Sequence, residues 1–476
     1  MNLPFILTQA ARAFPTETTL MDADGNITFE QLQSRVQSAM RRLQDYGLKS
    51  GDCLAIEAFS TREVIILLWA AMALKLIALP LNPRLPEETF RDYLHQFDCG
   101  AVYAPTRSKV FARKHVELKP FSGSERPQRE MVGALPKSIR EQQAVTVVLT
   151  SGSTGRPRAV VHAYGNHYYS ALGSNQNIPL QHGDRWLLSL PLFHVAGIAI
   201  LFRTMLAGAT VVVPRQNSDL AGNIRQFRPT HLSLVATQLS DLLQDARSVA
   251  HLRGMKAVLM GGSAIPRNLL KNAFREKLPL VLSYGSSEMS SQITATAPGD
   301  SWQSWLTSGR VLPFRELTID ATGEILVRGK TLFLGYWQKR RLWPELNEDG
   351  WFATGDLGTL DGERRLIVRG RKDRMFISGG ENIYPEEIER ALENLPAIEK
   401  AVVVPVPDQR FGQRPLAFVQ TADGTKADEA SLKEALRRTL PGFKIPRSIL
   451  PWPHEAPQGM KTDLKWFERF VQRTIR

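Results

Sequence analysis

The sequence predicts an α/β protein with a large N-terminal domain of doubly wound sheets plus a β-rich module, followed by a small, mobile α+β C-terminal domain. Three observations carry that prediction. Short β-branched apolar runs alternate with amphipathic stretches from Gly51 to Ser283, the pattern of sheets flanked by helices. After Trp302, Glu316-Leu-Thr-Ile-Asp-Ala-Thr-Gly-Glu-Ile-Leu-Val-Arg-Gly329 alternates apolar and polar residues around an Ala-Thr-Gly turn, as antiparallel hairpins do. A fresh helix–strand–strand–helix pattern begins after Gly370-Arg-Lys-Asp-Arg374.

The elements follow in order. Thr28-Phe-Glu-Gln31 opens a helix as a capping box, and Leu32, Val36, Met40 and Leu43 keep its apolar stripe until Gly47. Gly51–Ile56 reads as a strand, Glu63–Leu76 as an apolar helix and Ile77–Pro80 as a second strand. From Pro105 to Gln143 the periodicity fades into Lys, Arg, Ser, Gly and Pro, which predicts a long surface excursion or a mobile segment. Short buried strands are expected at Trp186–Leu190, Ala209–Val213, His231–Val235, Ala257–Met260 and Val281–Ser283, with amphipathic stretches at Gln238–Leu252 and Arg267–Leu278 between them. In the C-terminal part, Pro385 opens a helix carrying Ile388, Leu392 and Leu395; Ala401–Val404 and Leu416–Val419 read as strands, and Ser431–Leu440 as a further helix. The domain boundary is placed between Arg371 and Lys372, giving domains 1–371 and 372–476.

Composition narrows the function classes. With 476 residues, 43% hydrophobic and 22% charged, the chain is ordinary for a globular protein of two or three domains. The net charge of +13 raises nucleic acid as a partner, but the basic residues are spread along the chain without a recognition-helix or zinc-finger pattern. The expectation is no nucleic acid. No basic, apolar leader opens the sequence, and the longest apolar stretch, Val64–Leu74, at about 11 residues, is short of a span. This predicts a cytoplasmic protein without membrane insertion; a homo-oligomer is left open. Cys53 and Cys99 read as buried free thiols.

The stretch that carries chemistry is Thr150-Ser-Gly-Ser-Thr-Gly-Arg-Pro-Arg-Ala-Val160, after the strand-like run Ala144–Leu149. Gly152 and Gly155 allow close backbone approach, and Thr150, Ser151, Ser153, Thr154 and free backbone N–H groups offer donors to phosphate oxygens. Arg156 and Arg158 supply countercharge. The spacing G-x-x-x-x-G-K-[ST] is absent, so this is not a P-loop NTPase; a solvent-exposed turn is the plain alternative.

Seven stretches in order complete a pattern: that loop, Pro191-Leu-Phe-His194, Gly261-Gly-Ser-Ala-Ile-Pro266, Tyr284-Gly-Ser-Ser-Glu288, Trp351-Phe-Ala-Thr-Gly-Asp356, Gly370-Arg-Lys-Asp373 and Gly379-Gly-Glu-Asn-Ile-Tyr-Pro-Glu-Glu387. The chain thereby resembles the adenylate-forming superfamily of acyl-CoA synthetases, luciferases and nonribosomal adenylation domains, over most of its length. Leu187–Gly197, Ser233–Leu239 and Lys256–Pro266 resemble the branch of that superfamily that acts on 2-succinylbenzoate. The resemblance implies a ligase that uses ATP, Mg²⁺ and CoA with a small carboxylic acid, by way of an acyl-adenylate. Another aryl or fatty acid, or an inactive ligand-binding paralogue, is the alternative.

What the resemblance implies for single residues follows. Glu288 is the candidate Mg²⁺ ligand, and Ser287, where the family usually has Thr, faces the α-phosphate. Tyr284 and Gly285 border the adenine, with Gly262, Ser263 and Ala264 on its other side. Asp356 accepts the ribose hydroxyls, Arg371 contacts the ribose or phosphate, and Asp373 is the hinge of the small domain. His194 is a further catalytic candidate; Gly379, Gly380 and Glu381 border the CoA channel. Two departures stand out: Arg158 and Ala159 replace the usual Lys and Gly, and Met460 splits Gly459 from Lys461. Lys461 is the expected catalytic lysine, with Lys465 its rival. For the acid, Thr237 and Gln238 are pocket candidates, and Arg203, the one charge in Val195–Leu206, needs a partner. Either the second carboxylate of succinylbenzoate or an internal salt bridge would supply it.

Overall fold

The computed structural model describes residues 1–107, 133–150, 157–215, 218–262, 265–338, 341–421, 424–425, 427–457 and 462–474, together with the backbone of 116–117. Two large sheets dominate. The first has eight strands: Arg341–Trp343, Gly335–Gln338, Arg158–Ala163, Ala144–Thr150, Ile77–Leu81, Cys53–Glu57, Cys99–Tyr103 and Val116–Glu117, in spatial order. The second has nine, with the parallel run Thr210–Val212, Arg185–Leu187, His231–Leu234, Ala257–Met260 and Leu280–Ser286 at its heart. The parallel strands are apolar and buried on both faces, as helix-covered parallel sheets require.

Helices Arg62–Ala73, Tyr164–Asn177 and Val195–Ala207 share one apolar cluster with residues of both sheets, among them Ile56 and Val148 of the first and Trp186 and Val281 of the second. Trp69, Tyr164 and Phe202 meet at its centre, with Phe202 lying 5.2 Å from Trp69 and 5.7 Å from Tyr164. A helix sandwiched this way is apolar all round, which is why Arg62–Ala73 is buried from Val64 to Ala73. The capping box at Thr28 forms in both directions, at 3.2 and 3.0 Å.

The β-rich module is a four-stranded antiparallel sheet of Arg315–Ile319, Glu324–Gly329, Phe352–Leu360 and Leu366–Arg371. The C-terminal unit packs helices Pro385–Glu393 and Glu429–Arg437 on a sheet of Ile398–Asp408, Gly412–Thr421 and Ile449–Pro451. Strand Leu366–Arg371 ends where the 3₁₀ turn Lys372–Arg374 begins.

Two expectations change. The stretch Gln238–Leu252 is two helices, Ala236–Leu243 and Ala246–Arg253, because Asp245 caps the second through Arg247 N and Ser248 N. The segment Pro105–Gln143 is not wholly irregular: Ser138–Arg140 pairs with Asn2–Pro4, and Leu135 and Ile139 join the central core. Its residues 108–115 and 118–132 lie outside the described ones. Cys53 and Cys99 are free and buried as expected, but strand pairing brings their sulfurs to 3.3 Å.

Burial pushes the Glu393 carboxyl up to about 7 from an ordinary 4.5. A carboxyl raised in the folded state stabilises below its unfolded value, and that contribution is lost as pH rises through about 7. Glu393→Gln is therefore expected to raise stability at pH 8 by roughly 1–3 kcal/mol and to change nothing near pH 4. Chemical denaturation at the two pH values checks this; equal effects at both would exclude the carboxylate as the source.

Candidate active site

The site is built at the carboxyl ends of the second sheet's strands, where open α/β sheets hold ligands. Leu280–Ser286 emerges there carrying Tyr284, then turns through Ser287–Ser290 into the antiparallel Ser291–Ala295. Gly285 is obligatory at this turn, since a Cβ on it would lie 1.9 Å from the Ser291 carbonyl oxygen. Ser290 and Ser291 hold φ of 54° and 110°, left-handed values that cost non-glycine residues of order 1–3 kcal/mol each.

Tyr284 Oη donates to Asp356 Oδ2 at 2.6 Å, and Arg371 Nη1 donates to Asp356 Oδ1 at 3.2 Å and to the Thr354 carbonyl at 3.0 Å. Asp356 and Arg371 face each other across the antiparallel pair of the β-module. Burial raises the Asp356 carboxyl above its ordinary range, opposed by these donors. Burial, and then the adjoining Asp356, push the Tyr284 hydroxyl well up, so it remains a donor. Arg371 also pairs with Asp373 at 3.1 Å, and its backbone N–H donates to Glu386 of helix Pro385–Glu393 at 3.2 Å. Nucleotide candidates and hinge candidate thus form one hydrogen-bonded chain.

Glu288 is half-buried, with Oε1 accepting from Tyr336 Oη at 2.8 Å and its backbone carbonyl from Phe333 N at 2.7 Å. The Arg158 guanidinium sits 4.8 Å from the centre of the Tyr336 ring and pairs with Glu345 at 3.2 Å. Tyr336 was invisible to sequence reasoning because it belongs to none of the seven stretches and reaches Glu288 only through the pairing of Gly335–Gln338 with Arg158–Ala163.

Arg158–Ala163 returns antiparallel beside Ala144–Thr150, so the two strands that flank the glycine-rich stretch pair with each other. Ser151, Gly152, Ser153, Thr154, Gly155, Ser263, Ala264 and Lys461 lie outside the described residues. Gly262, at φ 90°, follows Ala257–Met260. Gly379 and Gly380 form the tight turn between Phe376–Ser378 and Glu381–Ile383, with φ of 58° and 91°.

His194 is exposed at the N-cap of Val195–Ala207, its ring 4.5 Å from that of Phe193. Thr237 is exposed, whereas Gln238 turns its side-chain carbonyl back onto Val235 N at 3.0 Å, so that oxygen serves the helix cap rather than a pocket. Arg203 is 1% exposed, and the internal salt bridge expected as one of its two partners is absent among the described residues. Its Nη2 donates to Gln292 Oε1 at 2.9 Å and to Ser291 Oγ at 3.3 Å, and the guanidinium lies 5.3 Å from the Trp186 ring centre. Burial lowers it to about 9. Arg203 Nε and Gln292 Nε2 are buried donors without an acceptor among the described residues.

The chain belongs to the AMP-binding enzyme family: residues 7–337 match the AMP-binding enzyme domain and 387–457 the AMP-binding enzyme C-terminal domain. It is 33% identical over 465 residues to 2-succinylbenzoate–CoA ligase of Bacillus licheniformis, covering 94% of this chain and 96% of that one. The o-succinylbenzoate CoA synthetase of Bacillus subtilis, solved with its acyl-adenylate intermediate OSB-AMP, superposes with a TM-score of 0.86 at 27% identity over 98% of each chain. The same enzyme with ATP and magnesium ion gives 0.86 at 28%, again over 98% of each.

The donor set fits magnesium held partly by substrate. No group of three or more His, Cys, Asp or Glu side chains among the described residues could enclose a cation, while Mg²⁺ characteristically takes one or two carboxylates and completes its shell with phosphate oxygens and water. Glu288 suits that role. Tyr336→Phe, which frees Glu288 Oε1, is expected to raise the Mg²⁺ concentration for half-maximal activity several-fold while leaving the melting temperature within a few degrees. A magnesium titration measures this; an unchanged midpoint would detach Tyr336 from the candidate metal ligand.

Proposed function

We propose that this chain is an ATP- and Mg²⁺-dependent acid–CoA ligase that converts 2-succinylbenzoate to its CoA thioester in menaquinone biosynthesis, acting in the cytoplasm with residues 372–476 as a mobile lid. In the first half-reaction a carboxylate oxygen of the acid attacks the α-phosphorus of ATP and pyrophosphate leaves. In the second, the CoA thiol attacks the acyl carbonyl and AMP departs, the thiol proton passing to solvent.

The described residues support distinct tasks. Tyr284 offers a ring face to the base, and Asp356, already joined to Tyr284 and Arg371, retains lone pairs for the ribose hydroxyls. Glu288 would hold magnesium, which supplies charge neutralisation at the phosphates; Ser287 and Arg158 add a hydroxyl donor and a cation. Lys461 would approach from the lid. Asp373 lies where strand Leu366–Arg371 gives way to the lid, a position suited to absorbing a rotation.

The observation that carries the choice of acid is Arg203. A guanidinium buried without a carboxylate among the described residues, beside a second donor on Gln292 that lacks an acceptor among them, is stabilised by an anionic ligand. The succinyl carboxylate supplies one, whereas an aliphatic fatty acid would leave both donors unmet. Pyrophosphate release with a panel of acids tests this, with turnover expected for 2-succinylbenzoate and not for benzoates without the arm. Equal turnover of both would remove the assignment.

Hydrogen bonds to charged groups contribute about 1.5–3 kcal/mol. Arg203→Met should accordingly raise the KM for the acid roughly 10- to 150-fold while leaving the KM for ATP within twofold. Lys461→Ala is expected to abolish adenylation and Lys465→Ala to preserve it, because Lys465 is exposed on a helix that packs through Phe467 and Val471. The reverse result would transfer the catalytic role to Lys465.

A further inference from the structure

Beneath the turn that bears Ser287 and Glu288 lies a buried cluster to which the reaction assigns nothing: Thr146, His162 and His167, each 1% exposed or less. We propose that His162 is a positioning residue for adenylation, its Nε2–H holding the Ser287 carbonyl while Thr146 and His167 lock the ring. The inference rests on the ligase reading given above. It adds a residue from outside the nucleotide-contacting stretches.

The proton positions follow from the chemistry of the partners. His162 Nε2 lies 2.7 Å from the Ser287 carbonyl oxygen; a carbonyl only accepts, so Nε2 carries the hydrogen. His162 Nδ1 is then a lone pair, met by the Thr146 hydroxyl at 3.3 Å. That hydroxyl has one hydrogen, so at its second contact, 2.8 Å from His167 Nε2, it accepts. His167 is thereby also protonated at Nε2, which leaves its Nδ1 as a bare lone pair, and Nδ1 has no partner among the described residues. Both rings are neutral: burial lowers His162 to about 4 and His167 well below its ordinary value. The rings lie 4.8 Å apart, and His167 stacks on Phe202 at 5.0 Å.

The consequence for the site is mechanical. Thr146 belongs to the strand that ends at Thr150, and His162 to the strand that returns from the loop. The cluster therefore ties both stems of the phosphate-loop candidate to the turn bearing the metal candidate. That turn is strained at Ser290 and Ser291 and is held by other bonds as well: Ser170 Oγ to the Ser290 carbonyl at 2.6 Å, Ser290 Oγ to the Thr331 carbonyl at 3.0 Å, and Ser290 N to the Ser287 carbonyl at 3.0 Å. Strain persists only where surroundings over-determine it. His162 is the side chain that acts on Ser287 itself, and displacement of a reacting constellation by about 1 Å can cost 10²-fold in rate.

The test compares His162→Leu, which deletes the donor, with His162→Gln, whose amide retains an N–H. His162→Leu is expected to lower kcat for pyrophosphate release with 2-succinylbenzoate about 30- to 100-fold with the KM for the acid unchanged, and His162→Gln to recover to within a few-fold. A packing role alone would instead lower the melting temperature of both variants alike and separate them little in kcat; that result, or wild-type kcat in a folded His162→Leu protein, overturns the proposal. Long-range ¹H–¹⁵N spectra of histidine-labelled protein read the relay without any turnover, and both rings should be neutral and protonated at Nε2 at pH 7. An Nδ1-protonated His162 would overturn it as well. Failure of the wild-type chain to release pyrophosphate with any acid would strike the ligase reading instead, leaving these spectra to decide the hydrogen-bonded cluster.

Discussion

The arrangement depends on one carboxylate. Asp356 takes the hydroxyl hydrogen of Tyr284, from the end of the large parallel sheet, and a guanidinium hydrogen of Arg371, from the last strand before the C-terminal unit. The β-module and the parallel sheet therefore meet at two oxygens, and Arg371 links them onward to Glu386 of the C-terminal unit. Because burial disfavours the ionised carboxyl, the charge is held only while both donors stay in place. Arg371 joins Asp356 to Asp373, so the junction with the C-terminal unit is bonded to the same carboxylate.

Around this point the protein tolerates arrangements that destabilise an isolated fold. Arg203 and Arg315 are both buried and both lowered to about 9 by burial. They resolve the cost differently. Arg315 donates to the carbonyls of Gln292, Pro313 and Ser170 and so acts as a strut between strands and helix. Arg203 donates to Gln292 and Ser291 but keeps its Nε without an acceptor among the described residues. The left-handed serines at 290 and 291 adjoin these contacts, Ser291 Oγ accepting from Arg203 and the next residue's carbonyl from Arg315.

Most of the fold was legible in the sequence. Period-two and period-3.6 patterns report burial on one face, and they located the parallel strands, the hairpin around Ala-Thr-Gly, the Thr28 capping box and the Pro385 helix. The candidate site was legible as motifs but not as contacts. Tyr284, Asp356 and Arg371 sit in separate stretches, and no local pattern states that they touch. Tyr336 and Gln292 escaped notice altogether, each lying in an apparently ordinary strand. His162 interrupts an apolar run and carried the signal of a buried polar residue, without indicating what it served. The return of Arg158–Ala163 as an antiparallel neighbour was missed because a β-branched run after a glycine-rich loop gives no strand direction.

The sequence by itself determined the layer architecture, the order of the domains and the residue types that can bind phosphate, ribose and a divalent cation. Those depend on local spacing and side-chain chemistry, which a chain carries whether or not it is folded. Tertiary structure alone decided which carboxylate meets which donor, that Arg203 meets no counter-ion among the described residues, and that two cysteines far apart in sequence face each other across neighbouring strands. Those outcomes follow from strand order and from desolvation, and neither exists until distant segments exclude water together.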